Sequence, residues 1–250
     1  MATPPTLWRD LRRFTPARIA LGRAGNGLPT EAHLAFQAAH AAARDAVHAE
    51  LDTTALAADL AAAGLTSVVV NSACPDRRTY LLRPDLGRQL AKGASLMPAP
   101  GIAFVVCDGL SATAVQRHSA PLLALVMPEL GQAGPVVIAH QGRVALGDPI
   151  GAALSAEAVC VLIGERPGLS APDSLGVYLT WHPGPGRSDA ERNCISNIRP
   201  EGLAIADAAT KLLWLITAMR RLRLTGVNLK DEQPALAAAA QKISTSVAAT

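Results

Sequence analysis

Two observations predict an α/β fold for this chain, a Rossmann-like, mostly parallel sheet flanked by helices with a small helical N-terminal domain. Past residue 63, short runs of β-branched and apolar residues alternate with helical stretches, the rhythm of parallel strands joined by crossover helices. Residues 1–62 are instead alanine-rich and helical in spacing, so a domain boundary is expected near Ala63 and Gly64. At 250 residues the chain has ample length for a proper core,.

The elements follow in order. Leu7, Trp8, Leu11 and Phe14 recur at helical spacing among Arg9, Arg12 and Arg13, and Pro16 ends that turn,. A glycine-rich loop leads to Thr30, the expected cap of a helix over 31–50 that turns Leu34, Ala38, Ala41 and Val47 inward,. Strands are expected at 68–70, 80–82, 102–107, 136–140, 158–163 and 175–181,. Helices are expected at 85–96, after Ser111 with Pro121 and Pro128 as punctuation, at 148–154 and at 202–223,. Residues 182–198 read as a loop rich in Pro, Gly and Asn, and 231–250 as an accessory tail.

Composition narrows the function classes. Apolar residues make up 50% and charged ones only 17%, against about 25% charged in a typical soluble chain, which points to surface hidden by a partner. No apolar run approaches the roughly 18 residues a membrane span needs. A scattered net charge of +3 and 3% aromatics argue against nucleic acid,. Cys74, Cys107, Cys160 and Cys194 lie far apart without metal spacing,, so reduced thiols in the cytoplasm are expected. The N-terminus has no apolar signal-peptide core.

In doubly wound sheets, ligands bind beyond the carboxyl ends of the strands. Four loops are expected there: Asp108 to Ser111, Gln141 to Val144, Gly164 to Gly168, and Trp181 to Ile198. Each candidate, in these loops or before them, has a plainer reading beside it. Gly22, Gly25 and Gly27 form a phosphate cradle or a simple turn. His33, His40 and His48 form a helical stripe whose spacing suits solvent or an interface better than a metal. Ser111 lacks the nucleophile-elbow glycines and suits an N-cap. Cys194 is a nucleophile without a partner set, or a small packing residue. Glu165 is a loop carboxylate that is solvated, paired with Arg166, or functional.

Together the strings LRRFTPARIALGRAGNGLPT, YLLRPDLGR, CDGLSATAV, GRVALGDPIG, LIGERPGLSAPDSL and RNCISNIRPEG resemble the small subunit of ethanolamine ammonia-lyase, from about Leu7 to Lys230. The resemblance implies half of a lyase that turns ethanolamine into acetaldehyde and ammonia by radical chemistry on adenosylcobalamin. It implies a large subunit that carries the substrate site, with six large and six small subunits assembled. Residues 63–250 would then form the cobalamin-contacting domain. The implied contacts are Val144, Glu165 and Cys194; no catalytic residue and no metal ligand is assigned to this chain. The D-x-H-x-x-G string of proteins that replace the lower axial base is absent, which implies a base-on cofactor. Some relatives sit in bacterial microcompartments, and the longer N-terminal extension that directs them there is not expected here.

Two rivals keep their own predictions. A nucleotide-dependent oxidoreductase needs a glycine fingerprint after the first strand and an acidic residue about 20 positions on, and neither is found. A non-catalytic scaffold subunit would share the obligate partner and make no cobalamin contact. Fold alone does not choose among the three.

Overall fold

The computed structural model describes residues 6–15, 17–131 and 135–231. Helices α1 (Thr6–Leu11), α2 (Thr30–His48) and α3 (Thr53–Ala62) come first. Then follow β1 (Ser67–Asn71), α4 (Arg77–Leu82), β2 (Ile102–Cys107), α5 (Ala112–Leu130), β3 (Val136–His140), α6 (Gly147–Ala153), β4 (Ala158–Gly164), β5 (Leu175–Trp181), β6 (Arg192–Ile198) and α7 (Ile205–Leu222). The six strands form one sheet in the order β1-β3-β2-β4-β5-β6. Strands β1, β3, β2 and β4 are parallel, whereas β5 runs antiparallel to both β4 and β6. The architecture is the α/β one expected, and the sheet is mixed.

Alternating side chains of the central strands feed two cores, because successive residues of a strand point to opposite faces. Phe104 and Val106 join Leu56, Leu60, Leu123, Leu212 and Ile216 on the face covered by α3, α5 and α7. Val105 and Cys107 join Leu146, Ile150 and Val161 on the face that α6 covers. Strands β2 and β4 are buried at every residue, which is why they read as unbroken apolar runs.

Several local expectations are corrected. The stretch expected as a strand at 80–82 is the end of α4, because Asp76 caps it by accepting the Thr79 N–H at 2.7 Å,. Only a 3-10 turn, Leu86–Arg88, forms where a helix to residue 96 was expected. An extended segment follows and bridges back at Leu90 to Ser72. Helix α5 runs unbroken through Pro121 and Pro128; burial of Leu122, Leu123, Val126 and Met127 outweighs the hydrogen bonds the prolines omit. Thr30 is the first residue of α2, not its cap, and makes no capping bond. Leu34, Ala38 and Ala41 are exposed, Val47 is half-buried, and Ala46 is the buried residue of that helix. Among the described residues, most apolar positions of helix α2 thus have no cover.

The largest difference is at 182–198. Strand β5 reverses direction, so Trp181 pairs with Ala158, the first residue of β4, and His182 lies at the amino edge of the parallel strands. The chain then returns as β6, a strand where a loop is expected. Pro16 and the tail beyond Asp231 lie outside the described residues.

Candidate functional site

Three of the four expected loops do sit at the carboxyl edge. After β2 the chain leaves for α5 on one face, and after β3 it leaves for α6 on the other, which opens a crevice between Asp108 and Gln141. A cavity of about 800 Å³ lies there, lined among others by Asn71, Arg77, Lys92, Asp108 and His140. Its central charges are largely committed, although the buried Nη2 of Arg77 makes no hydrogen bond. The Asp108 carboxylate accepts the N–H groups of Gln141 at 3.0 Å and Gly142 at 3.1 Å, and burial pushes its pKa up,. Arg77 donates to the carbonyls of Val47 at 2.7 Å and Gly109 at 2.8 Å. This cluster staples α2 and two strand ends together. Three earlier alternatives resolve here as structural. Ser111 caps α5 through Ala114. Ala24 and Gly27 exchange backbone bonds in a tight turn. His33, His40 and His48 are exposed.

A second cavity, of about 400 Å³, is lined by Pro84, Arg88, Arg143, Val144, Ala145, Tyr178, Asp189, Arg192 and Cys194. It brings Val144 and Cys194 together from distant parts of the sequence. Val144 opens a 3-10 turn, Val144–Leu146, just past β3. Cys194 lies in the middle of β6, paired in register with Tyr178 of β5, and not on a strand-end loop as expected. Glu165 follows β4 directly. Its backbone N–H reaches Ser174 O at 2.9 Å, and its Oε2 accepts the Ser174 hydroxyl and, at 3.3 Å, the Asn197 N–H.

Tyr178 joins the two groups. It pairs in register with Cys194 and lines the same cavity. A Cβ on Gly176 would come within 2.9 Å of Glu165 Oε1 and 3.3 Å of the Tyr178 ring, so glycine there lets both side chains lie over the strand. Desolvation by the strands raises the thiol pKa of Cys194 and the phenol pKa of Tyr178, which keeps both neutral near pH 7. Cys194 is thus a protonated, exposed thiol with no activating base, and it is not arranged as a nucleophile.

The cavity is thus lined by apolar Pro84, Val144 and Ala145, by neutral Tyr178 and Cys194 on β5 and β6, and by the charged Arg88, Arg143, Asp189 and Arg192, of which Arg192 is buried in its pair with Asp148. Buried Arg143 Nε makes no hydrogen bond, an orphan donor beside this recess. Sequence reasoning missed Tyr178, Arg88, Arg143 and Arg192. For Tyr178 a signal existed: it is a polar-tipped residue inside the otherwise apolar run of β5, LGVYLTW.

Fold and cavity define an α/β protein of the doubly wound kind, with a recess beside its antiparallel edge. The sequence pattern of the ethanolamine ammonia-lyase light chain (EutC) matches residues 5–230, and the chain belongs to that family. It is 54% identical to the ethanolamine ammonia-lyase small subunit of Azotobacter vinelandii, over 90% of this chain and 88% of the relative. Against the small subunit of Xanthomonas campestris pv. campestris strain B100 the identity is 53%, over 93% and 92%. Against that of Ralstonia nicotianae it is 54%, over 92% and 91%. Neither the oxidoreductase fingerprint nor any glycine is present in the turn after β1, Ser72 to Asp76. Among the described residues, no helix is long and apolar enough to cross a membrane.

Proposed function

We propose that this chain forms one wall of the adenosylcobalamin site of an ethanolamine ammonia-lyase, closing over the cofactor against a large subunit that carries the ethanolamine site. One observation supports this most directly: Val144 and Cys194, named by the family resemblance, line one recess together with Tyr178, and Glu165 lies with the Tyr178 ring about Gly176. The residues fit the group. A corrin is an apolar disc fringed with amides, and the recess offers apolar side chains beside neutral and charged hydrogen-bonding partners. A volume of about 400 Å³ admits only part of such a ligand, so the rest of the enclosure must come from another chain. The bound cofactor supplies the radical chemistry.

Each side chain has a physical task. Val144 gives apolar contact. Glu165, oriented by Ser174 and Asn197, keeps lone pairs free to accept amide or hydroxyl donors. Cys194 stays neutral and adds a soft contact. None of the three is placed to move a proton in the reaction. The base-on cofactor, the assembly of six large and six small subunits, and a cytoplasmic or microcompartment location belong to the same proposal and rest on the family resemblance.

Glu165→Ala tests the reading in a complex co-expressed with a cognate large subunit and titrated with adenosylcobalamin by absorption. Loss of a charge-assisted hydrogen bond, about 1.5–3 kcal/mol, predicts roughly tenfold or greater weakening, with turnover retained at saturation. Unchanged affinity would remove Glu165 from the site. A wild-type complex that assembles but binds no cobalamin would leave a scaffolding role.

A further inference from the structure

We propose that Arg88 is a further cobalamin contact, its guanidinium pairing with the phosphodiester of the cofactor's nucleotide tail. The inference rests on the cobalamin reading above.

Local structure brings Arg88 to the recess. It closes the 3-10 turn Leu86–Arg88, in the string YLLRPDLGR, from which none of the three contacts above is drawn. Gly87 seats that turn against the loop after β3. Its carbonyl accepts the Arg143 N–H at 2.8 Å, and a Cβ on it would come within 2.9 Å of Arg143 Cγ and 3.2 Å of Gln141 O. Arg88 and Arg143 therefore line one recess from two adjoining segments, together with Val144 and Cys194.

Charge then points to the ligand. Asp85, the acidic residue nearest Arg88 in sequence, is held by Arg83 at 2.9 and 2.6 Å. Among the described residues the Arg88 side chain has no ion pair or hydrogen bond. Arg143 gives Nη2 to the Tyr80 carbonyl at 3.1 Å and lays its guanidinium over the Tyr80 ring, 4.2 Å from the centroid; no described carboxylate pairs with it. Arg192 is neutralised by Asp148 at 2.6 Å, with Asp189 3.3 Å from its Nε. Three arginines thus meet two carboxylates, and one positive charge is left over. A cleft with an excess of one sign concentrates counter-ions. The anionic group on the periphery of cobalamin is its phosphodiester, which carries a single negative charge, and a guanidinium offers such oxygens a matching fork of N–H donors.

The test uses the complex with a cognate large subunit, free of cofactor, carrying Arg88→Gln or Arg88→Lys. Cyanocobalamin and dicyanocobinamide, which lacks the nucleotide tail and its phosphate, are titrated by absorption at low and high salt. For Arg88→Gln the cyanocobalamin dissociation constant is expected to rise roughly tenfold or more at low salt and by less at high salt, with cobinamide affinity unchanged. Arg88→Lys keeps the charge without the fork and should recover part of the loss. Because the native side chain makes no bond within the chain, the urea midpoint of each variant should match wild type. Unchanged cyanocobalamin affinity overturns the proposal. An equal loss for both corrinoids also overturns it, since Arg88 would then serve the corrin and not the tail. Loss of the large subunit from the variant on gel filtration overturns it too, by pairing Arg88 with a carboxylate of that subunit. A wild-type complex that binds neither corrinoid defeats the cobalamin reading instead, and is told apart by that arm alone.

Discussion

Arg192 and Asp148 form a buried, two-pronged ion pair, Nη1 to Oδ1 at 2.9 Å and Nη2 to Oδ2 at 2.6 Å. Their side chains are 2% and 7% exposed. The pair ties β6 to the first turn of α6, across β5 and β4. Thr180 of β5 takes a further bond from Arg192 at 2.9 Å. This clamp holds an edge strand of mostly polar sequence in register, and thereby fixes Cys194 opposite Tyr178.

Asp148→Asn should therefore destabilise the chain strongly. Removing one partner of a buried pair typically costs about 3–5 kcal/mol, and the exposed Asp189, 3.3 Å from Arg192 Nε, replaces only part of the lost charge. Urea denaturation should show a lower midpoint with little change in slope. A midpoint unchanged from wild type would mean that solvent reaches Arg192 and that β6 is held by its backbone bonds alone.

Gly176→Ala should separate ligand affinity from folding. The new Cβ would meet the far end of Glu165 at 2.9 Å and the Tyr178 ring at 3.3 Å; a flexible carboxylate can move aside. The expected result is a near-normal denaturation midpoint with several-fold weaker cobalamin binding, measured by titration of the assembled complex. Equal affinity for the variant and wild type would show that the position of Glu165 does not matter to the ligand.

The contrast between the two edges of the sheet explains what the sequence made legible. Strands β2, β3 and β4 are covered on both faces, so their residues must be apolar, and IAFVVC, VVIAH and AVCVLIG announce themselves. Strand β6 is an edge, and RNCISNI buries Arg192, Ile195 and Ile198 at a spacing that is not the alternation of a regular strand; a register irregularity in its pairing with β5 accounts for this. Its one local signal was the capping box of Ser188 and Glu191 just before it. The site was legible as motifs at Val144, Glu165 and Cys194 but not as a place. Only the reversal of β5 brings Cys194 to Val144, and no local pattern encodes which neighbour a strand will choose.

His118 should make stability fall as the pH drops below its ordinary 6.5. Its ring is buried, its Nε2 lacks a hydrogen bond, and Asp173 Oδ2 stands 3.8 Å away. Desolvation lowers its pKa below the ordinary 6.5 despite that carboxylate, with nearby Arg117 adding to the effect. The folded state thus binds the proton less readily than the unfolded chain. Its contribution is complete above pH 6.5 and declines as the pH falls toward the depressed value. Asp108, raised by burial, acts with the opposite sign. His118→Gln should flatten the dependence of the urea midpoint on pH in this window; an equal slope in the variant would assign the loss to other groups.

Gly164→Ala should fail in a different way from Gly176→Ala, although both glycines flank Glu165. A Cβ at Gly164 would lie 2.0 Å from Ser111 O and 2.6 Å from Asp108 O, so it strikes backbone that cannot swing away. Its own carbonyl already accepts the Leu110 N–H at 2.9 Å, and Gly109, at φ +58°, would meet that same carbonyl at 2.3 Å if it carried a Cβ. The turns after β2 and β4 therefore touch main chain to main chain, and Glu165 is aimed by that contact. Relief requires the two turns to part, which loosens the cap of α5 and shifts Glu165 together. Overpacking of this kind typically costs about 1–3 kcal/mol, occasionally more. Denaturation and cobalamin titration should both register the change. A variant of wild-type stability that has lost only ligand affinity would show that the turns can separate freely.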